Sequence, residues 1–142
     1  MTTFSKRKRR GLGVVGGRLA DCPYSPNCVC SDAADPSNRI APFELAIPPK
    51  EAWNEIRAAV TALPRTRIVQ RTSDYLHAEC RSQWFGFVDD LELHLRPARN
   101  AVAVRSASRI GHWDFGVNRA RVDQLRSDLV KRGVIDGRKS EA

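Results

Sequence analysis

The stretch Phe87-Val88-Asp89-Asp90-Leu91-Glu92-Leu93-His94-Leu95 decides the fold, read together with the runs on either side of it. Before it comes Tyr75-Leu76-His77-Ala78-Glu79-Cys80-Arg81, and after it Ala101-Val102-Ala103-Val104-Arg105-Ser106-Ala107. Side chains alternate across a strand, so each run reads as a strand with two different faces. In the first, Tyr75, His77, Glu79 and Arg81 oppose Leu76, Ala78 and Cys80. In the central one, Phe87, Asp89, Leu91, Leu93 and Leu95 oppose Val88, Asp90, Glu92 and His94. In the last, Ala103 and Arg105 oppose Val102, Val104 and Ser106. Ser73-Asp74, Phe85-Gly86 and Arg96-Pro97-Ala98-Arg99-Asn100 are turn sequences, and connections this short join antiparallel neighbours.

Working outward, a further strand is expected at 67–71 and a short one at 42–47, which its prolines confine to a sheet edge. Pro48-Pro49 opens a helix, since proline suits the first turn. Ala52, Trp53, Ile56, Ala59, Val60 and Leu63 give it one apolar face, and Pro64 ends it. A loop over 108–116 leads to a second helix over 117–132, with Val122, Leu125 and Leu129 facing inward and Gly133 as its stop. The order β-α-β-β-β-β-α defines a single α+β domain, an antiparallel sheet with two helices packed on one face. That arrangement resembles the TATA-box-binding-protein-like and helix-grip folds. The expected division is a flexible basic leader over 1–20, the domain over 21–132 and a disordered tail over 133–142.

Composition bounds the function. A chain of 142 residues, 42% hydrophobic and 28% charged, fits one soluble globular domain. It has no apolar run of 18 residues, so a membrane-spanning helix is not expected. The net charge of +8 sits at the ends. Residues 1–19 hold six basic residues and no acid, and 131–142 hold four basic against two acidic, while 14 of each balance over 20–130. A neutral body with no exposed basic strands argues against a DNA-binding saddle, leaving Lys6–Arg10 for weak, salt-dependent contact with a polyanion or lipid headgroups. The Lys6–Arg10 cluster followed by a glycine-rich apolar stretch has the order of a signal peptide, but Arg18 interrupts it. A cytoplasmic location is therefore expected, with the envelope or an organelle as the alternative if an export signal has been trimmed.

Cys22, Cys28 and Cys30 cluster in an irregular segment over 21–38. Their spacing matches no zinc knuckle, and no histidine lies nearby to complete a ligand set, so no metal is expected. Free thiols are the expected state; a Cys22–Cys28 disulfide around Pro23-Tyr24-Ser25-Pro26-Asn27 is the sterically plausible alternative, and would imply an oxidising compartment. Cys80, in mid-strand, reads as a small buried hydrophobe.

With the apolar sets under the helices, His77, Glu79, Arg81, Asp90, Glu92, His94 and Arg105 share the opposite face, which is expected to be wet. There they form either a ladder of ion pairs, each contributing roughly 0.2–1 kcal/mol, or a surface whose arginines fork toward a carboxylate or phosphate. Asp89 falls on the apolar face and needs a partner there: Arg109, Arg119 or N–H groups at the start of the last helix. Asn118 and Arg119 stand at that helix N-terminus, where an anion is favoured. Asp114 or Asn118 suits the cap, and Trp113 is the aromatic best placed for recognition. The candidate ligand-binding residues are thus Arg81, Asp89, Asp90, Arg105, Arg109, Trp113, Asn118 and Arg119. The glycine pattern matches neither a P-loop nor a dinucleotide fingerprint, and no cofactor is expected.

Cys22-Pro23, Ser25-Pro26-Asn27-Cys28-Val29, Tyr75-Leu76-His77-Ala78-Glu79, Phe87-Val88-Asp89-Asp90, Arg105-Ser106-Ala107-Ser108-Arg109, Asp114 and Gly116-Val117-Asn118-Arg119 with Arg121-Val122 occur in this order. The chain over about 21–130 resembles the domain-of-unknown-function family 1499. The resemblance implies no activity, cofactor or catalytic residue. The functional expectation is a non-enzymatic binding or accessory domain for a small anionic ligand or a protein partner. One alternative is a hydrolase using Asp89 or Asp90 with His77 or His94, although Asp90 and His94 lie roughly 13 Å apart along one strand. The other is nucleic-acid or membrane-surface attachment through Lys6–Arg10.

Overall fold

The fold comes from a computed structural model that describes residues 11–111 and 113–137. Four strands, β5 (Thr66–Arg71), β6 (Tyr75–Arg81), β7 (Val88–Arg96) and β8 (Ala101–Ser108), form an antiparallel meander in sequence order. Two short strands, β3 (Cys28–Cys30) and β4 (Phe43–Glu44), both pair with the outer edge of β8. Helix α1 (Pro49–Ala62) crosses from β4 to β5, and α2 (Val117–Lys131) follows β8. The protein is a single α+β domain with a mainly antiparallel sheet. The element order expected from sequence is present, supplemented by β3 inside the segment expected to be irregular.

The register carries the parity argument directly. Leu76 pairs with Leu93 and Ala78 with Leu91, while Leu93 pairs with Val104 and Leu95 with Val102, so these side chains share one sheet face. That face meets Ile56 and Val60 of α1 and Val122, Leu125 and Leu129 of α2 in one buried core. Removing this much apolar surface from water is the main favourable contribution to the fold. Pro64, after the C-cap Leu63, disfavours helical backbone at that residue and stops α1.

At the far end of α2, Gly133 takes φ +73°. Its N–H donates to the Val130 carbonyl and that of Val134 to the Leu129 carbonyl, which is the Schellman arrangement. Val134 and Ile135 are buried, and Ile135 bridges Leu45, so the chain over 133–135 is part of the domain rather than the expected disordered tail.

The second sheet face departs most from expectation. It is not wet. Strands β1 (Val14–Val15) and β2 (Arg18–Leu19) form a hairpin whose turn, Gly16-Gly17, takes positive φ at both residues, as tight hairpin turns require. This hairpin and the segment after it cover the polar face. Leu19, Cys30, Ala33, Tyr75 and Ala103 are buried together there, with Val14 and Cys22 against them. Residues 11–20 are therefore structured, not a flexible leader; Lys6–Arg10 lies outside the described residues.

Candidate functional site

Burial makes every charge on the covered face acquire a partner. Glu92 is fully inaccessible. It accepts hydrogen bonds from the Tyr75 hydroxyl at 2.6 Å and the Gly13 N–H at 2.7 Å, with Arg105 at 3.4 Å. Arg105 also donates to the carbonyls of Ala20 and Asp21, tying the N-terminal segment to the sheet. Burial, reinforced by Glu92, pushes the Tyr75 phenol well above its ordinary range. Asp32 accepts from the Leu19 N–H at 2.9 Å and pairs with Arg96 at 2.8 Å, closing the same seam.

A second group surrounds Asp90. Its carboxylate meets His77 Nε2 at 2.7 Å and Arg109 at 2.8 and 2.9 Å, and Arg109 also binds Glu79. Burial alone would raise the Asp90 carboxyl, but hydrogen bonds from His77 and Arg109 outweigh it and hold the group at about 2. On the helix side Asp89 is paired, as its inward position demands, though not with Arg109 or Arg119. Its partner is Arg121 of α2, at 2.8 Å. The i+3 spacing from buried Asn118, whose side-chain oxygen it contacts, turns Arg121 back toward the sheet, whereas Arg119 projects outward.

Asn118 is fully buried and joins four parts of the fold. Its amide donates to the Asn27 carbonyl, Ser108 and Asp114, and its oxygen accepts from Ser106 at 2.7 Å and Arg121 at 2.8 Å. The N-cap of α2 is Gly116 rather than Asp114 or Asn118, but Asp114, two residues before it, accepts from the N–H groups of Gly116 and Asn118. Its own burial opposes ionisation, yet those N–H groups keep its carboxyl below the usual range.

Cys22 and Cys28 are joined in a disulfide, replacing the expected free thiols. Cys28 lies in β3 and Cys22 at the edge of the second cluster, which brings them together. The closed loop carries Tyr24, Ser25 and Pro26 outward. Buried Cys30 and Cys80 stay as thiols, both with pKa raised by burial, Cys30 to about 11.

The disulfide loop, the turn at 35–38 and the β8–α2 loop enclose a surface pocket of about 700 Å³. This is within the size range of small-molecule sites. Tyr24, Trp113 and Phe115 supply its aromatic walls, Arg119 its cation, and Asp35 and Asp114 two carboxylates. Arg119 donates to the Ser37 carbonyl at 3.3 Å and is otherwise exposed. Phe115 adopts φ +54°, a conformation that a bulky side chain takes only at a cost, with its ring in solvent.

Of the eight candidates, the pocket brings together Trp113 and Arg119. Asp89, Asp90, Arg105, Arg109 and Asn118 lie in the internal networks, and Arg81 is exposed on the sheet margin. His77 meets Asp90, but no described histidine lines the pocket; His112 lies outside the described residues. His94 takes Arg96 on Nδ1, and burial followed by the Arg96 charge lowers its pKa. Among the described residues no three acidic, histidine or cysteine side chains group to hold a metal. Sequence reasoning missed Tyr24 and Phe115. The signal was there for Phe115, an aromatic beside a turn glycine at Gly116, a place where an inward ring is not required.

A two-layer α+β domain with one sheet face under helices and the other sealed by its own N-terminal hairpin is the class these observations define. The chain belongs to the family of proteins of unknown function DUF1499, whose model matches residues 18–129. Among curated proteins none matches the chain.

Proposed function

We propose that the domain is a non-enzymatic binding module whose ligand enters the pocket between the disulfide loop and the β8–α2 loop. The observation that carries this reading is the contrast in availability. The sheet's carboxylates, histidines and Arg105 and Arg109 are occupied by one another, whereas the pocket offers exposed rings beside Arg119. Such a site suits a small ligand with an apolar body for Tyr24, Trp113 and Phe115 and one anionic group for Arg119. A hydrolase reading finds less support, because both carboxylate–histidine pairs, Asp90–His77 and the looser Asp74–His94 at 3.8 Å, lie outside the pocket, and Asp90 has Arg109 on its other oxygen. The Cys22–Cys28 disulfide supports an oxidising compartment over the cytoplasm. Among the described residues no helix is long and apolar enough to cross a membrane.

Native mass spectrometry of the purified protein identifies any copurified ligand, and calorimetric titration with decanoate supplies a first probe. Arg119→Ala and Trp113→Ala are each expected to weaken binding by about tenfold while leaving thermal unfolding unchanged, the loss of one charge-assisted hydrogen bond or one ring contact. Unchanged affinity in both variants would defeat the reading.

A further inference from the structure

The two ends of the sheet differ in a way that packing does not explain and the pocket explains only in part. At one end the turns present Thr72, Ser73 and Asp74, and Pro97, Ala98, Arg99 and Asn100, all small or polar apart from one proline. At the other end three neighbouring loops carry rings into solvent. Trp84 and Phe85 of the β6–β7 turn are 80% and 78% exposed, Phe115 of the β8–α2 loop 98%, and Tyr24 of the disulfide loop 96%. The loops adjoin one another: the Arg109 N–H donates to the Val88 carbonyl, and Asn27 donates to the Gly111 carbonyl at 2.7 Å. Phe85 stacks on Phe87 with ring centroids 5.6 Å apart, so the turn holds its rings outward as a pair. Scattered exposed apolar residues are ordinary, but a cluster of rings on adjacent loops marks an interaction surface.

We infer that this end of the domain docks on a lipid bilayer bearing anionic headgroups. The rings stand on separate loop tips, with no strand edge among them to recruit a partner strand. Tips of this kind suit a fluid surface that closes around each ring, and Trp and Tyr favour the boundary between headgroups and acyl chains. The charge beside them complements an anionic surface. Arg65 and Arg81 flank the β6–β7 turn, joined by a hydrogen bond from Arg65 Nε to the Arg81 carbonyl at 3.2 Å, and both are exposed. Among the described residues neither forms an ion pair, whereas on the other flank Arg119 shares the pocket wall with the ionised Asp35 and Asp114, so the basic excess beside the rings lies at Arg65 and Arg81. Apolar tips flanked by basic side chains bind anionic membranes by insertion and attraction together. Tyr24 and Phe115 also line the pocket, whereas Trp84 and Phe85 do not, so these two residues separate this inference from the ligand reading.

The test sediments the full chain with phosphatidylcholine vesicles, with and without phosphatidylglycerol, at low and high salt. Binding to the anionic vesicles, weakened by salt, is expected. Brominated acyl chains should quench Trp84 and Trp113 fluorescence, with buried Trp53 as the unquenched background. The double variant Trp84→Ser/Phe85→Ser should lose about tenfold or more of its vesicle partitioning, since each ring forfeits its burial. It should keep the wild-type melting curve and decanoate titration. Three results would overturn the inference. One is absence of vesicle binding by the wild type. The second is undiminished binding in the double variant, with loss only when residues 1–10 are removed. The third is a dimer in light scattering that the same double substitution abolishes, which would assign the surface to a second copy of the chain.

Discussion

The two faces of one sheet are built by opposite means. On the helix side, leucines and valines of β6, β7 and β8 meet the apolar stripes of α1 and α2, and the driving force is non-directional burial. On the hairpin side, Glu92, Asp90, Arg105 and His94 are almost as inaccessible, yet they are charged or polar. Such groups leave water without penalty only when every donor and acceptor is matched. Among the described residues no buried side-chain nitrogen or oxygen lacks a partner. The first face tolerates any apolar filling of the right volume; the second depends on pairings that fail together when one member is removed.

The largest expected effect breaks that second face at its centre. Glu92→Met leaves Arg105, the Tyr75 hydroxyl and the Gly13 N–H without their acceptor, and should cost about 3–5 kcal/mol in urea unfolding. Leu93→Ala, next along β7 but turned to the helices, should cost about 2–5 kcal/mol through a cavity. The comparison is sharpened by adding Arg105→Met to Glu92→Met. The second substitution should recover only the part due to the stranded Arg105 charge, because the Tyr75 hydroxyl and the Gly13 N–H stay without an acceptor and the Ala20 and Asp21 carbonyls lose their donor. No compensation at all is available to Leu93→Ala. If Glu92→Met unfolds at the wild-type urea concentration, the polar face is not held by this pairing.

These two faces were not equally legible in the sequence. Period-two alternation assigned the residues of β6, those of β7 up to Leu95 and the middle of β8 to their sides, including Asp89 on the inner one, because a strand's alternation is a purely local property. What covers the outer face is a long-range matter. The Gly13 N–H reaches Glu92 across 79 positions, and nothing in Gly11–Gly17 announces that destination. A glycine-rich segment looks like a linker, although its paired glycines also permit a tight hairpin. Asp89 likewise needed a partner on sequence grounds, but the choice among Arg109, Arg119 and Arg121 depends on the rotation of α2 against the sheet. The pocket was half visible, through Trp113 and Arg119, and the disulfide that shapes its other wall was the less expected of two alternatives.

Acid should loosen the polar face before the apolar one. The Asp90 carboxyl is held at about 2 in the fold, against the ordinary aspartate value near 4 when unfolded. A depressed carboxyl stabilises the fold in full above the unfolded value and loses that contribution as pH falls from about 4 through about 2. The expected loss is about 2 kcal/mol, measurable as a fall in the urea midpoint over that interval. Asp90→Asn should remove this part of the pH dependence while lowering stability at neutral pH. A wild-type acid profile that persists unchanged in Asp90→Asn would show that other carboxylates set it.

The smallest effect lies where the polar face runs out toward β5. Arg67 pairs with Glu79 at 3.3 Å, but its side chain is 76% exposed while that of Glu79 is 17% exposed. Water and salt screen such a pair, and Glu79 retains Arg109 when Arg67 is removed. Arg67→Ala should therefore change stability by about 0.5 kcal/mol or less, vanishing at high salt. Arg109→Ala, by contrast, would leave Asp90 with His77 alone and Glu79 with only the exposed Arg67. A large cost for Arg67→Ala would mean that the network's strength extends to its open edge, and that coverage by the N-terminal hairpin is not what separates strong pairs from weak ones.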